Sequence, residues 1–346
     1  MNPKFRKERI DRGINVRSKD IMILASLRDL LYVVLPRALV IIGIVIFPLM
    51  KDIIGSYWQN VMLTILVISL LALSWDLLAG VGLISLGQSF FFGIGGYFAG
   101  YLSYKFGLSP LITIPLATVG GSLVSTVLLY PILRLKGIYF GLITFAVPLL
   151  LQRIIETTKI LGGTEGLSGI TSISNRTFEL YLVIFVVIIT VYGFRRLTTS
   201  DYGLVFNAIR DNDRAVIASG YNIQWYKAQA VFISALPVSF AGAYFAHHFE
   251  FVGMSVFSLD YSILSLTGVI VGGAGTFFGA VLGSFILVPL SELLRGFGSL
   301  RVVIYSLMLL FFIIGLPEGL FSFFLRKYHQ FERYVPMEES KSEIIS

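Results

Sequence analysis

The sequence predicts an all-α polytopic membrane protein with about ten transmembrane segments, some short or broken, and both ends cytoplasmic. Three observations carry this. Of the 346 residues 56% are hydrophobic and only 14% charged, where a soluble domain averages about 25% charged. Apolar runs of roughly 20 residues, the length a spanning helix needs, recur along the chain. Lys and Arg gather on alternate connectors, as the positive-inside rule asks of cytoplasmic loops.

The elements follow in order. Residues 1–29 form a basic segment with Lys4, Arg6, Lys7, Arg9, Arg12, Arg17 and Lys19. The first apolar run starts only near Leu30, and no small-residue cleavage site follows it. The segment therefore reads as a cytoplasmic flank, not a cleaved signal. Spans are expected over Leu31–Met50, Tyr57–Ala79, Gln88–Tyr104, Pro110–Leu133, Ile138–Thr157, Glu179–Phe194, Trp225–His248 and Arg301–Leu316. The connector with Arg134 and Lys136 falls inside, and so does 195–224 with Arg195, Arg196, Arg210 and Arg214. The 158–178 connector falls outside, with Lys159 and Arg176 as its only positive charges.

Asp260–Leu294 is an apolar block of 35 residues. As one helix it would leave the tail residues Arg326, Lys327 and Arg333 outside, against the rule. A turn back at Gly272–Thr276 brings the tail inside and is preferred, although it leaves Arg295 and Arg301 outside. The two halves are short, so at least one is expected to be broken or re-entrant, which membranes tolerate only where protein or water surrounds the backbone. The membrane domain then covers 30–320, with a cytoplasmic tail over 321–346.

Several chemistries are absent. There is no cysteine, hence no disulfide framework or thiolate site. No phosphate-binding loop, nucleophile elbow or paired-histidine zinc motif occurs. With three histidines, two of them adjacent (His247, His248), no metal site is expected. The ionisable residues within spans are Asp76, Glu156 and Glu292, each near a span end and expected to reach the interface. No carboxylate falls clearly at mid-membrane, which counts against ion-driven transport.

One internal match stands out. "GLISLGQSFFFG" (82–93) and "GVIVGGAGTFFG" (268–279) align without gaps. Membrane carriers often contain internal repeats with glycine-interrupted segments beside the solute path, and the ten-segment count makes this pair parallel in direction.

The stretch 203–220, "GLVFNAIRDNDRAVIASG", is a helix too short and too charged to span. Val205, Ile209, Asn212 and Val216 share a stripe, with Ala208, Ala215 and Ser219 close by, and Gly220 is a natural stop. A helix lying on lipid favours lysines and large apolar anchors. This one mixes charge signs over a narrow apolar stripe, which suits a groove on another protein.

"AIRDNDRAVIASGYN" (208–222) resembles the coupling segment of permease subunits of ABC importers for branched-chain amino acids, a family that includes urea-importer permeases. "GLISLGQSFFFGIGGY" (82–97), "GIYFGLITFA" (137–146), "LGGTEGLSGI" (161–170) and "GVIVGGAGTFFGAVLG" (268–283) resemble further landmarks of that family, in order, over roughly residues 60–320. Gln88 stands where the family usually has His. The resemblance implies a permease subunit in the cell membrane and not an enzyme. It implies a second, paralogous permease, two ATP-binding cassette subunits and an extracytoplasmic substrate-binding protein as partners. ATP and Mg would be bound in the ATPases, with no cofactor, metal or nucleic acid held by this chain. Asn207, Ala208, Ile209, Arg210, Asp211, Asn212, Asp213, Arg214, Ala215, Ser219 and Gly220 would face the ATPase.

A zwitterionic solute needs hydrogen-bond partners. Ser85, Gln88, Ser89, Tyr97, Tyr139, Thr144 and Gln152 are polar residues within or beside apolar spans and are the candidate path, against the alternative of helix–helix hydrogen bonding. Gln88 can both donate and accept. Gly87, Gly93, Gly272, Gly273 and Gly275 are the candidate gating glycines. The competing readings are an ion-coupled secondary carrier for a small polar solute, a urea or amide importer permease, and a membrane enzyme, for which no catalytic cluster is found.

Overall fold

A computed structural model describes residues 5–9, 51–173, 175–298, 300–315, 318–329 and 332–336. The expected span Leu31–Met50 lies outside the described residues, as does most of the basic N-terminal segment. The chain divides into two units, residues 48–320 and residues 1–47 with 321–346. In the smaller unit β1 (Phe5–Arg9) pairs antiparallel with β4 (Glu332–Pro336), Phe5 opposite Pro336.

The larger unit is helical: α1 (Lys51–Gly80), α2 (Gln88–Phe106), α3 (Pro110–Leu129), α4 (Ile138–Thr158), α5 (Arg176–Thr198), α6 (Asp201–Ala218), α7 (Ile223–Phe249), α8 (Leu259–Gly272), α9 (Phe278–Leu293) and α10 (Leu300–Gly315); α11 (Gly319–His329) starts at its last two residues and runs into the smaller unit. Two short strands, β2 (Leu167–Ser168) and β3 (Phe251–Val252), pair antiparallel. Local chemistry sets many boundaries. Pro110 occupies the first turn of α3, where a missing N–H costs nothing. The Asn175 side chain accepts from the N–H groups of Thr177 and Phe178 at the start of α5, and Asn222 does the same for Trp225 at the start of α7. Gly107 closes α2 in the left-handed conformation, the usual glycine stop.

Among the described residues seven stretches are long and apolar enough to cross a membrane: Tyr57–Gly80, Pro110–Arg134, Ile138–Thr158, Arg176–Thr198, Ile223–Phe249, Met254–Gly272 and Phe278–Phe297. The 260–294 block turns back between α8 and α9, and a 3-10 turn at Met254–Phe257 extends α8 toward a full crossing. Gln88–Tyr104, expected as a span, forms the 19-residue α2, which is rich in Gly, Ser and Tyr. It needs less apolar surface because most of it is buried in protein, not facing lipid.

α1, α2 and α7 form the centre. Leu70, Leu71, Ala72 and Leu73 of α1 are fully enclosed. α2 lies so near α7 that a Cβ on Gly242 would overlap the Phe92 carbonyl, and one on Gly96 would stand 3.2 Å from the Gly242 carbonyl oxygen. Without a hydrophobic driving force in lipid, such small-residue contact is how membrane helices associate closely. α3, α8 and α9 pack around this centre. α4 lies at the edge, with Tyr139, Leu142 and Leu150 exposed.

Candidate functional site

α6 is not the single four-turn helix expected of the charged stretch. It breaks at Asn212, whose φ of −156° and ψ of 91° are extended. The Asn212 Oδ1 atom accepts from the Ala215 N–H at 3.3 Å, so Asn212 caps a second helical piece. Asparagine competes for backbone groups through its own amide, which favours a cap over a helix interior. The expected stripe is corrected accordingly. Asn212 is exposed, as are Ala208, Ala215 and Ser219, while Phe206, Ile209 and Val216 are buried.

These three side chains pack with Val81 and Ala230, and Leu197, Val205, Ile223 and Tyr226 surround them. The seat of α6 is therefore built from the end of α1 and the start of α7. Its backbone presses on the loop after α1: a Cβ on Gly82 would stand 3.2 Å from the Arg210 Cα atom. The opposite face is polar and open. Asn207, Arg210, Asp211, Arg214 and Gly220 are exposed, and the Arg210 Nε atom donates to Asp211 at 3.1 Å. Asp213 instead turns back to an ion pair with Lys136, in the connector between α3 and α4. The Lys136 hydrogen bond, with the nearby Lys136 and Lys227 charges, holds the Asp213 carboxyl below the ordinary carboxylate range.

Two glycine-bearing loops meet the end of α1. The Trp75 Nε1 atom donates to the Ser85 carbonyl at 2.7 Å. Its neighbour Asp76 accepts from the Gly275 N–H at 2.6 Å and from the Phe277 N–H at 3.1 Å. Asp76 is 2% exposed, which overturns the expectation that it reaches the interface. Burial is tolerated because the carboxylate sits in a nest of backbone N–H groups at the start of α9, where the helix dipole favours negative charge. The turn needs left-handed backbone at Gly273 (φ 116°), Gly275 (φ 81°) and even Phe277 (φ 52°). Both segments of the internal match thus reach adjacent residues of one helix. α2 and α9 both start beside that end of α1, although α9 begins four positions later in the aligned register.

Four of the seven candidate path residues, Ser85, Gln88, Ser89 and Thr144, cluster around the start of α2. Gln88 is fully buried; its Oε1 accepts from Ser74 at 3.1 Å, and its Nε2 has no partner among the described residues. The Ser89 N–H donates to the Ser262 hydroxyl at 2.9 Å, and that hydroxyl donates to Ser89 Oγ at 3.1 Å. Thr144 Oγ1 accepts from the Leu86 N–H at 3.1 Å, and Ser85 Oγ accepts from the Gly87 N–H at 3.3 Å. Further along α2, the Tyr97 ring stacks on Phe257 with centroids 5.6 Å apart, and its hydroxyl has no partner among the described residues. Tyr139 and Gln152 stand apart from this group on α4, Tyr139 exposed and Gln152 half-buried. Of the five candidate gating glycines, Gly87, Gly93 and Gly272 hold tight contacts, while nothing lies within 4 Å of a Cβ added at Gly275 and Gly273 is set by its positive φ. A Cβ on Gly87 would overlap the Thr144 carbonyl, one on Gly93 the Phe257 ring, and one on Gly272 the Gly279 carbonyl.

The other end of the bundle is pinned by polar contacts. The His247 ring bonds the Thr113 hydroxyl at 2.5 Å and the Thr171 carbonyl at 2.6 Å, and His248 meets Glu179 at 3.0 Å. Glu292 accepts from Tyr57 at 3.0 Å and Arg295 at 2.9 Å, and Glu156 from Arg153 at 2.7 Å. Among the described residues no group of three or more His, Asp or Glu is placed to hold a metal ion.

The sequence reading does not single out Phe206, Trp75 or Ser262. Phe206 had a signal, since it falls three positions before Ile209 and ten before Val216. Trp75 had a weaker one, an indole beside a carboxylate at a span end. Ser262 had none, because its partner lies 173 positions away.

The family model described as the permease component of the branched-chain amino acid transport system matches residues 57–315. The chain is 27% identical, over 283 residues, to the high-affinity branched-chain amino acid transport system permease protein LivM of Escherichia coli (strain K12), covering 72% of this chain and 67% of that protein. The same figures hold for LivM of Salmonella typhimurium. Identity is 25% over 226 residues, 59% of this chain and 66% of the relative, to the probable branched-chain amino acid transport permease protein LivM of Methanocaldococcus jannaschii. No solved structure matches.

Proposed function

The chain belongs to the branched-chain amino acid transport permease family, and from that premise we propose that it carries branched-chain amino acids across the cell membrane, driven by partner ATPases through α6. It is a multi-pass membrane protein and a transport subunit of an ABC transporter, not an enzyme. The observation that carries the reading is the two-faced character of α6. One face is anchored in this chain by Phe206, Ile209 and Val216, and the other offers Asn207, Arg210, Asp211 and Arg214 to a partner.

The chain has no phosphate-binding loop of its own, so its free energy arrives through a contact surface. Two ATP-binding cassette subunits bind ATP and Mg, and α6 docks in a groove on one of them. A second permease completes the path, and an extracytoplasmic binding protein delivers the solute near the 158–178 connector. Ser85, Gln88, Ser89, Tyr97 and Thr144 supply hydrogen bonds along the path, joined by Tyr139 and Gln152 of α4. The glycine loops are where rigid-body rocking opens and closes it.

The test is uptake by proteoliposomes holding the complete complex, with leucine, isoleucine or valine presented on its binding protein. ATP-dependent accumulation that is indifferent to proton and sodium gradients supports the reading. Accumulation driven by an ion gradient without ATP assigns the chain to the secondary carriers instead.

A further inference from the structure

Asp76 is the buried charge that the transport reading leaves without a role. A carboxylate within a span is expensive and is retained where it has a task. It accepts from backbone N–H groups of the turn between α8 and α9, and Trp75, the residue before it, holds the other glycine loop. The same end of α1 continues into Val81 and Gly82, on which α6 rests.

A force applied to α6 therefore meets, within one turn and a half of α1, the side chains that hold both loops. Each grip is specific. The Ser85 carbonyl takes the indole N–H, and Ser85 leads into Gln88 and Ser89 at the start of α2. The Asp76 carboxylate fixes the Gly275 and Phe277 N–H groups and so sets where α9 begins. Phe277 also meets Phe194 of α5 at 5.8 Å between ring centroids, and α5 leads directly into α6. The 274–277 turn is thus tied to α6 along two routes, through α1 and through α5.

We propose that Trp75 and Asp76 are positioning residues that make the two glycine loops move together when the ATPases move α6, so that the starts of α2 and α9 change place in one step. The proposal rests on α6 being the ATPase-facing surface. Coupling of this kind is warranted by an element that two sites bias together, and here that element is the end of α1.

The experiment compares wild type, Asp76→Asn and Trp75→Phe in the reconstituted complex, measuring solute delivered per ATP hydrolysed and the KM for loaded binding protein. Asn keeps an acceptor for one N–H but presents an amide to the other, and Phe removes only the indole donor. The expected result is a fall of about tenfold in solute per ATP for Asp76→Asn, a smaller fall for Trp75→Phe, unchanged KM and full recovery of the ATPase subunits on purification. A purely structural role would lower the yield of complex and leave solute per ATP at the wild-type value, and that result overturns the proposal. Should Asp76→Asn not assemble, Trp75→Phe decides alone, by the same ratio. Failure of the wild-type complex to accumulate solute with ATP would strike the transport reading itself and is seen before any variant is made.

Discussion

Lys136 and Asp213 form an ion pair that ties the connector between α3 and α4 to the second piece of α6. One partner lies in each of two segments expected from their charge to share the cytoplasmic side, and the contact brings them together. The pair clips α6 to its own chain and leaves Asp211 and Arg214 facing outward.

The Asp213 carboxyl is held below its ordinary range, first by the Lys136 hydrogen bond. Its folded value lies under the unfolded one, near 3.9. The stabilisation is therefore fully present above that unfolded value and lost as pH falls through the lowered folded value. A double-mutant cycle of Lys136→Ala and Asp213→Ala, read by thermal unfolding, should give a coupling of about 0.2–1 kcal/mol, since Lys136 is well exposed. The coupling should be the same at pH 8 and pH 6. A decline between those values would contradict the assignment.

Gly272→Ala should destabilise the membrane domain strongly. The added Cβ would overlap the Gly279 carbonyl across the α8–α9 contact, and overpacking of this kind costs about 1–3 kcal/mol or more. Gly193→Ala on α5 is the matched control, because nothing lies within 4 Å of its added Cβ. That variant should be neutral or stabilised by up to about 1 kcal/mol. Equal thermal shifts in the two variants would show that the α8–α9 approach is looser than described.

Asn212→Ala should lower stability by about 1 kcal/mol through loss of the cap on the second piece of α6, and Asn212→Asp should retain it. Hydrogen exchange at Ala215 reports the effect directly, because its N–H is the one capped. Slower exchange in the alanine variant would mean that α6 prefers to run unbroken.

The fold class was legible because lipid imposes one rule on every segment, and long apolar runs with basic connectors follow from it. The turn back near Gly273 could be found from charge alone, since only that reading kept Arg326, Lys327 and Arg333 inside. The inner seat of α6 was half legible. Helical spacing marks Ile209 and Val216, but it also puts Asn212 on the same stripe, because spacing assumes an unbroken helix and the local cap breaks it. Asp76 could be singled out as an ionisable residue in a span, yet its partners are backbone N–H groups 199 and 201 positions away, and no pattern in side-chain types marks those. The same holds for Ser262 on Ser89. Gln88, Ser89 and Thr144 were found one by one as polar residues in apolar company, and only the tertiary structure gathers them around the start of α2.

The most direct test of α6 as the coupling surface is purification of the tagged complex in mild detergent, with the ATPase subunits quantified by mass spectrometry. Asp211→Ala combined with Arg214→Ala alters only the exposed face and leaves Phe206, Ile209 and Val216 seated. The account predicts that the variant is inserted and recovered with its partner permease, while its ATPase content falls severalfold below that of wild type. Wild-type ATPase content together with wild-type transport in that variant would contradict it.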